Sequence, residues 1–321
     1  MSRSFVLRAF TGLTTLSIFT ACGAPAGVSS LEANGEALPT AETQAMRIQF
    51  TPEVNGVPFR CGQSYTGIGS TQSTLTPKDF RLYVNQVQLV NAAGESVPMT
   101  LTQNAWQHDD LALLDFEDKS GDCESGTVDT NFEITGTVPA GEYTGLKFEL
   151  GVPFDMNHQD VSKAPSPLNL TSMFWVWRFG YKFTRIDFAT TGQPQGYFIH
   201  LGSTGCTGTA TKDTEHTMHV QHEGEEHGEE AESLTTAPLQ CEYPNRGTIA
   251  LNNFQPESDS IVVDLGAVLK DSNVDINQPE TPGGCMSGED DSDCDAIMPA
   301  LGVAFKGKPA QQRLFSVRSA Q

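Results

Sequence analysis

The chain is poor in cations. Its 321 residues include 19 Lys and Arg against 40 Asp and Glu, a formal charge of −21. Such a surface repels phosphate backbones and anionic headgroups, so nucleic acid is excluded as a partner, and contact with a membrane is expected only through a lipid anchor. No Cys-x-x-Cys pair occurs among the seven cysteines. That argues against structural zinc, and the missing Cys-x-x-Cys-His argues against attached haem. No Gly-x-Ser-x-Gly elbow is present either. Ser203 stands too near His200 in sequence for a strand or turn to aim its hydroxyl at the ring, so a hydrolase is disfavoured. Asp291, Asp293 and Asp295 open like a calcium loop, but Ala296 replaces the required glycine and Gly302 the closing glutamate. Nothing singles out a glycosidase-type carboxylate pair. No stretch sustains a helical period. Short helices are expected only near residues 168–174 and 293–301.

The ends carry processing signals. Arg3 and Arg8 precede a short apolar run from Phe10 to Phe19, and Phe19-Thr20-Ala21-Cys22-Gly23 follows. Residues 1–21 read as a secretory signal, too short to span and be retained. The ending resembles a bacterial lipobox, although Phe19 stands where leucine is usual. Cys22 is the expected lipidation site, which makes an exported outer-membrane lipoprotein facing the periplasm or the cell surface. Residues 22–45 are small and polar and read as a flexible tether.

The remainder reads as strands. Arg47 to Phe50, Phe80 to Val84, Val87 to Val90, Leu111 to Phe116, Asn131 to Gly136, Leu146 to Leu150, Thr248 to Phe254 and Ile261 to Leu265 are apolar or alternating. Gly, Pro and Asn turns separate them. Asn55-Gly56 favours a two-residue hairpin. The fold class is all-β, an antiparallel β-sandwich with long loops and disulfides, spanning residues 46–305 with a C-terminal tail at 306–321. Setting Cys22 aside leaves six cysteines and fifteen possible pairings. Nearest neighbours would pair Cys61 with Cys123, Cys206 with Cys241, and Cys285 with Cys294.

Two stretches carry chemistry. Residues 211–232 hold His216, His219, His222 and His227 among acidic residues, and read as a disordered loop between Cys206 and Cys241. Histidine-rich acidic tracts bind Cu(II), Zn(II) or Ni(II) weakly, so these four are accessory metal candidates. In Met173 to Phe183, the aromatic residues Trp175, Trp177, Phe179, Tyr181 and Phe183 alternate with others, the pattern of a β-strand with one aromatic face. His158 and His200 flank it in sequence. Imidazole suits copper or zinc, and an aromatic shell favours low-coordinate Cu(I). Spacing alone favours a plainer reading, with interior histidines and core tryptophans.

A set of ordered motifs tips the balance. Asp79-Phe80-Arg81, Ala112 to Asp118, Gly151-Val152-Pro153-Phe154, Asn157-His158, Met173 to Trp177, Gly180 to Phe183, His200 to Cys206, Pro244-Asn245-Arg246 and Gly284 to Ser287 together resemble the MbnP family from about residue 46 to 302. The resemblance implies a β-rich periplasmic or surface copper-binding protein with a four-cysteine pattern on Cys206, Cys241, Cys285 and Cys294, leaving Cys61 and Cys123 for a third bridge. It also implies a partner, a MauG-like dihaem enzyme that oxidises one tryptophan of Trp175-Val176-Trp177 to kynurenine. Opening the indole leaves an aryl amine and a ketone, which turns a poor ligand into a nitrogen donor.

The expected metal set is His158, His200, Trp177 and Trp175, with Trp177 preferred as the residue modified and His108 as an outside candidate. The expected role is copper uptake, storage or delivery without turnover. The competing class is an adhesive or carbohydrate-binding surface lipoprotein, with Trp175, Trp177 and Tyr181 as a stacking platform.

Overall fold

A computed structural model describes residues 42–208 and 237–320. The signal segment, Cys22 and the tract bearing His216, His219, His222 and His227 lie outside the described residues.

The architecture hangs on one long strand. Ser73–Asn91 runs through both stretches expected separately, carried past a bulge at Gln86 (φ 52°) where the register against Tyr143–Leu150 shifts. It pairs antiparallel with Tyr65–Ile68, Ser96–Pro98, Leu111–Asp115, Tyr143–Leu150 and Thr184–Thr190. From Phe80 to Asn85 it is buried on both faces, as a strand with a layer above and below must be. Gly247–Asn252 extends the sheet at one end; Tyr197–Ile199 and Gly284–Cys285 extend it at the other. The opposing sheet runs Phe315–Arg318, Ser260–Asp264, Thr43–Val54, Glu133–Pro139, Thr100–Leu101.

Apolar residues of the two inner faces fill the space between the sheets. Phe50 meets Phe148 at a centroid distance of 6.2 Å, and Phe148 meets Phe315 edge-on at 4.9 Å. This is the expected all-β sandwich. Most pairings are antiparallel, but Thr43–Val54 runs parallel to Ser260–Asp264, and Tyr197–Ile199 runs parallel to Gly284–Cys285. The Asn-Gly hairpin forms as expected: Asn55 (φ 52°) and Gly56 (φ 76°) join Val54 to Val57 with the two positive φ angles of a type I′ turn. Three disulfides join the nearest-neighbour pairs, Cys61–Cys123, Cys206–Cys241 and Cys285–Cys294.

Three expectations change. Residues 306–321 are not merely a tail, since Phe315–Arg318 is an edge strand on Ser260–Asp264 and Arg318 donates to the buried Glu53 carboxylate at 2.7 and 2.9 Å. Four residues are too short a run to announce themselves in sequence. The tether ends before residue 45, because Thr43–Ala45 already pairs with Thr137–Pro139.

The third change matters most. Met173 to Phe183 is not a strand but a hairpin. Phe179 and Gly180 donate to the Val176 carbonyl at 3.0 and 2.8 Å, and Trp175 donates to Gly180 at 3.0 Å. Phe174 and Tyr181 form a single antiparallel bridge. Gly180 decides it: its φ is +72°, and a Cβ there would lie 2.3 Å from the Asn157 carbonyl, so the chain folds back where only glycine fits. The strand that continues the large sheet is the next one, Thr184–Thr190.

Candidate metal centre

The reversal separates aromatic residues that alternation would have put on one face. Tyr181 is fully buried, its hydroxyl donating to the Leu168 carbonyl and its ring edge-on to Tyr83 at 5.9 Å. Phe183 is also buried, whereas Phe179 is 39% exposed on the turn beside Val176. Trp175 and Trp177 are half-buried. Trp175 packs against Gly202, where a Cβ would approach its Cζ3 to 2.4 Å. The absence of a side chain there lets the indole reach His200, at a ring-centroid distance of 6.3 Å.

His200 is placed by sheet register. Asp187 pairs across to Phe198, and His200 follows two residues on, so period two sets it on the face that Asp187 shares. The His200 Nε2 lies 2.6 Å from Asp187 Oδ1. His200 Nδ1 is buried and has no hydrogen-bond partner. With Nε2–H donated to a carboxylate, Nδ1 keeps its lone pair, the arrangement of a metal-ligating histidine with its supporting carboxylate. Asp187 is itself held, with Arg185 Nε 2.9 Å from Oδ2. Burial pushes the Asp187 carboxyl up, but His200 and Arg185 outweigh it and keep its pKa below the ordinary value.

The charge network continues inward. Arg185 and Arg81 face each other across the ladder, as do Asp187 and Asp79. Arg185 Nε lies 3.2 Å from Asp79 Oδ2, and the buried Arg81 guanidinium grips Asp79 with Nε at 2.8 Å and Nη2 as a second donor. The same cations hold the base of the tryptophan hairpin. Arg81 Nη1 donates to Ser172 Oγ at 3.1 Å, while Lys182 Nζ and Arg185 Nη1 donate to the Ser172 carbonyl at 3.0 and 3.2 Å. Burial, with Arg185 nearby, lowers the Lys182 pKa to about 8.

An open cavity of about 440 Å³ lies at the hairpin, lined by Trp175, Val176, Phe179, Ser203, Thr204 and Met286. Met286 was not singled out by sequence reasoning, although it sits in one of the matched motifs. Its neighbours are tied to His200: the His200 amide donates to the Cys285 carbonyl at 3.0 Å, and Ser287 Oγ donates to the His200 carbonyl at 3.0 Å. The signal available in sequence was a methionine between two such residues, a soft thioether of the kind Cu(I) prefers.

His158 is arranged differently. Its Nδ1 donates to the Trp177 carbonyl at 3.0 Å. Its Nε2 faces Asn157 Nδ2 at 3.2 Å and Cys241 Sγ at 3.5 Å. Burial lowers its pKa. His158 thus meets the backbone of Trp177, while His200 meets the ring of Trp175. Among the described residues no group of three His, Cys, Asp or Glu ligand atoms within 4.8 Å contains both histidines. Asn157 joins the two sides, donating to Ser203 Oγ at 3.5 Å and accepting from the Tyr181 amide at 2.7 Å. His108 lies elsewhere, on the short strand Gln107–His108, with Nε2 3.5 Å from Asp109.

Fold and centre define a disulfide-bonded β-sandwich whose tryptophan hairpin lies over a buried, carboxylate-supported histidine. The MbnP family model matches residues 43–287, and the chain belongs to that family, which implies a copper-related function. MbnP from Methylosinus trichosporium has a similar structure, with a TM-score of 0.70 and 29% sequence identity, covering 87% of this chain and 100% of that chain. No curated protein matches the sequence.

Proposed function

We propose that the protein binds copper as Cu(I), for uptake, storage or delivery, at a centre built from His200 Nδ1 and the Met286 thioether beside Trp175. One observation carries the reading. His200 Nδ1 is buried without a partner while Asp187 holds Nε2, next to the one indole that packs on this ring. A lone pair kept from water and the thioether that lines the Trp175 cavity supply a soft, low-coordinate donor set.

Trp175, rather than the Trp177 preferred from sequence, is then the residue a MauG-like dihaem partner would oxidise to kynurenine. The change loses one carbon and gains one oxygen, and sets an aryl amine beside His200. His158 serves by holding the Trp177 carbonyl and so the hairpin. Export, lipidation at Cys22 and metal capture by His216, His219, His222 and His227 belong to the same proposal.

The test is to purify the soluble domain made with and without the partner oxidase, then measure bound copper and the mass of the peptide holding Trp175 and Trp177. Copper retained only by the sample whose Trp175 has changed mass supports the reading. Unmodified tryptophans in a sample that holds no copper would sink it. The carbohydrate-platform alternative loses one of its three stacking rings, because Tyr181 is 0% exposed.

A further inference from the structure

The side of the hairpin away from His200 holds a feature that the copper centre does not use. Cys206, Cys241 and His158 place their ligand atoms within 4.8 Å of one another. The His158 tautomer is set by its Nδ1 donation to Trp177, which leaves Nε2 an acceptor 3.2 Å from the Asn157 amide and 3.5 Å from Cys241 Sγ, so a metal there takes the place of the Asn157 hydrogen bond. Oxidised, the two sulfurs are spent on each other. Cys241 is nonetheless half-buried rather than sealed, as is Cys61, whereas Cys285 and Cys294 are 1% and 0% exposed.

The strand ladder around them would keep the two sulfurs together without their bond. Thr204–Thr207 and Gln240–Tyr243 form a two-stranded ladder in which Cys206 and Cys241 are directly opposed, their Cα atoms 3.8 Å apart. The Thr204–Tyr243 and Thr207–Gln240 pairs close that ladder on both sides. Arg178 Nη1 donates to the Cys206 carbonyl at 2.9 Å and so ties this strand to the tryptophan hairpin.

We infer that the Cys206–Cys241 bridge is a redox-gated metal site: once opened by a dithiol reductant, its two thiolates and His158 Nε2 bind Zn(II), with solvent completing a tetrahedron. One thiolate of the dithiol attacks a bridge sulfur to give a mixed disulfide. Its second thiolate then displaces the protein sulfur, leaving two protein thiols and an oxidised dithiol. Zinc binding releases the two thiol protons, and His158, already neutral at Nε2, releases none. A two-cysteine, one-histidine set with an open fourth position is an established zinc arrangement. This inference does not rest on the copper reading.

The test uses the folded protein treated with limiting dithiol, followed by alkylation and peptide mass spectrometry. Cys206 and Cys241 are expected to be labelled before any other pair. Co(II), added as a coloured substitute for Zn(II), is expected to bind with a thiolate charge-transfer absorption that appears only after reduction. Binding by histidine tracts alone cannot produce that band. His158→Ala is expected to weaken Co(II) binding about tenfold or more, and Cys206→Ser with Cys241→Ser to abolish the band. Cooperative thermal unfolding of each variant verifies that it is folded. Prior opening of another disulfide, no band in reduced folded protein, or equal affinity in His158→Ala would each overturn the inference.

Discussion

The two histidines that flank the tryptophan hairpin in sequence have similar burial, 7% for His158 and 6% for His200, yet opposite chemistry. His200 has one nitrogen on a carboxylate and one with no partner. His158 has one nitrogen on a carbonyl and the other between an amide and a disulfide sulfur. Burial alone does not make a ligand. A buried imidazole is ready for a metal when its second nitrogen is left without a partner and its first is held so that the ring cannot turn, whereas His158 Nε2 must first give up the Asn157 amide. The comparison also separates the two tryptophans, since Trp175 offers its ring to His200 and Trp177 only its carbonyl to His158.

The largest effect should separate the two rings. If the proposed copper centre is right, His200→Ala is expected to abolish copper retention in protein made with the proposed dihaem oxidase, while His158→Ala retains most of it, as metal analysis of the purified variants would show. Equal losses would place both histidines at one centre and break the comparison. Next in size is Arg81→Ala, which leaves Asp79 buried with only Arg185. A broken buried pair costs about 3–5 kcal/mol, read as a lower denaturant midpoint, and a loss below about 1 kcal/mol would show that Arg185 alone suffices.

A smaller effect sharpens the His200 side. Asp187→Asn keeps the shape but weakens the acceptor at Nε2, so copper affinity measured by chelator competition should fall about 10–100-fold. Unchanged affinity would mean that the carboxylate does not tune the ring. The smallest effect belongs to His158. Its folded pKa is depressed by burial, so folding favours the neutral ring. That contribution is complete above the unfolded value of about 6.5 and is lost as pH falls through the lower folded value. His158→Gln should therefore flatten the acid side of the stability profile, and a loss of the same size in the variant would assign it to other groups.

Much of the sandwich was legible. Alternation located most strands, Asn55-Gly56 announced its turn, and proximity named the three disulfides. The hairpin was not legible, because residues 173–183 alternate as a strand does. What overrode the pattern was Gly180, whose positive φ and contact with Asn157 are imposed by a distant part of the chain. Met286 escaped notice for a similar reason: nothing local distinguishes a methionine that lines the Trp175 cavity from one that fills core.

The residue types for a soft-metal centre, the glycines that permit close approach, and the cysteines that close the loops are properties of the sequence alone. Their motifs were sufficient to indicate the family. Only the tertiary structure decided which histidine keeps a nitrogen without a partner. That choice depends on the register of Thr184–Thr190 against its neighbours, which puts Asp187 under His200, and on the reversal at Gly180, which puts the Trp177 carbonyl over His158. Hydrogen-bond partners are set by strand register and chain reversal, and these are settled when the core packs.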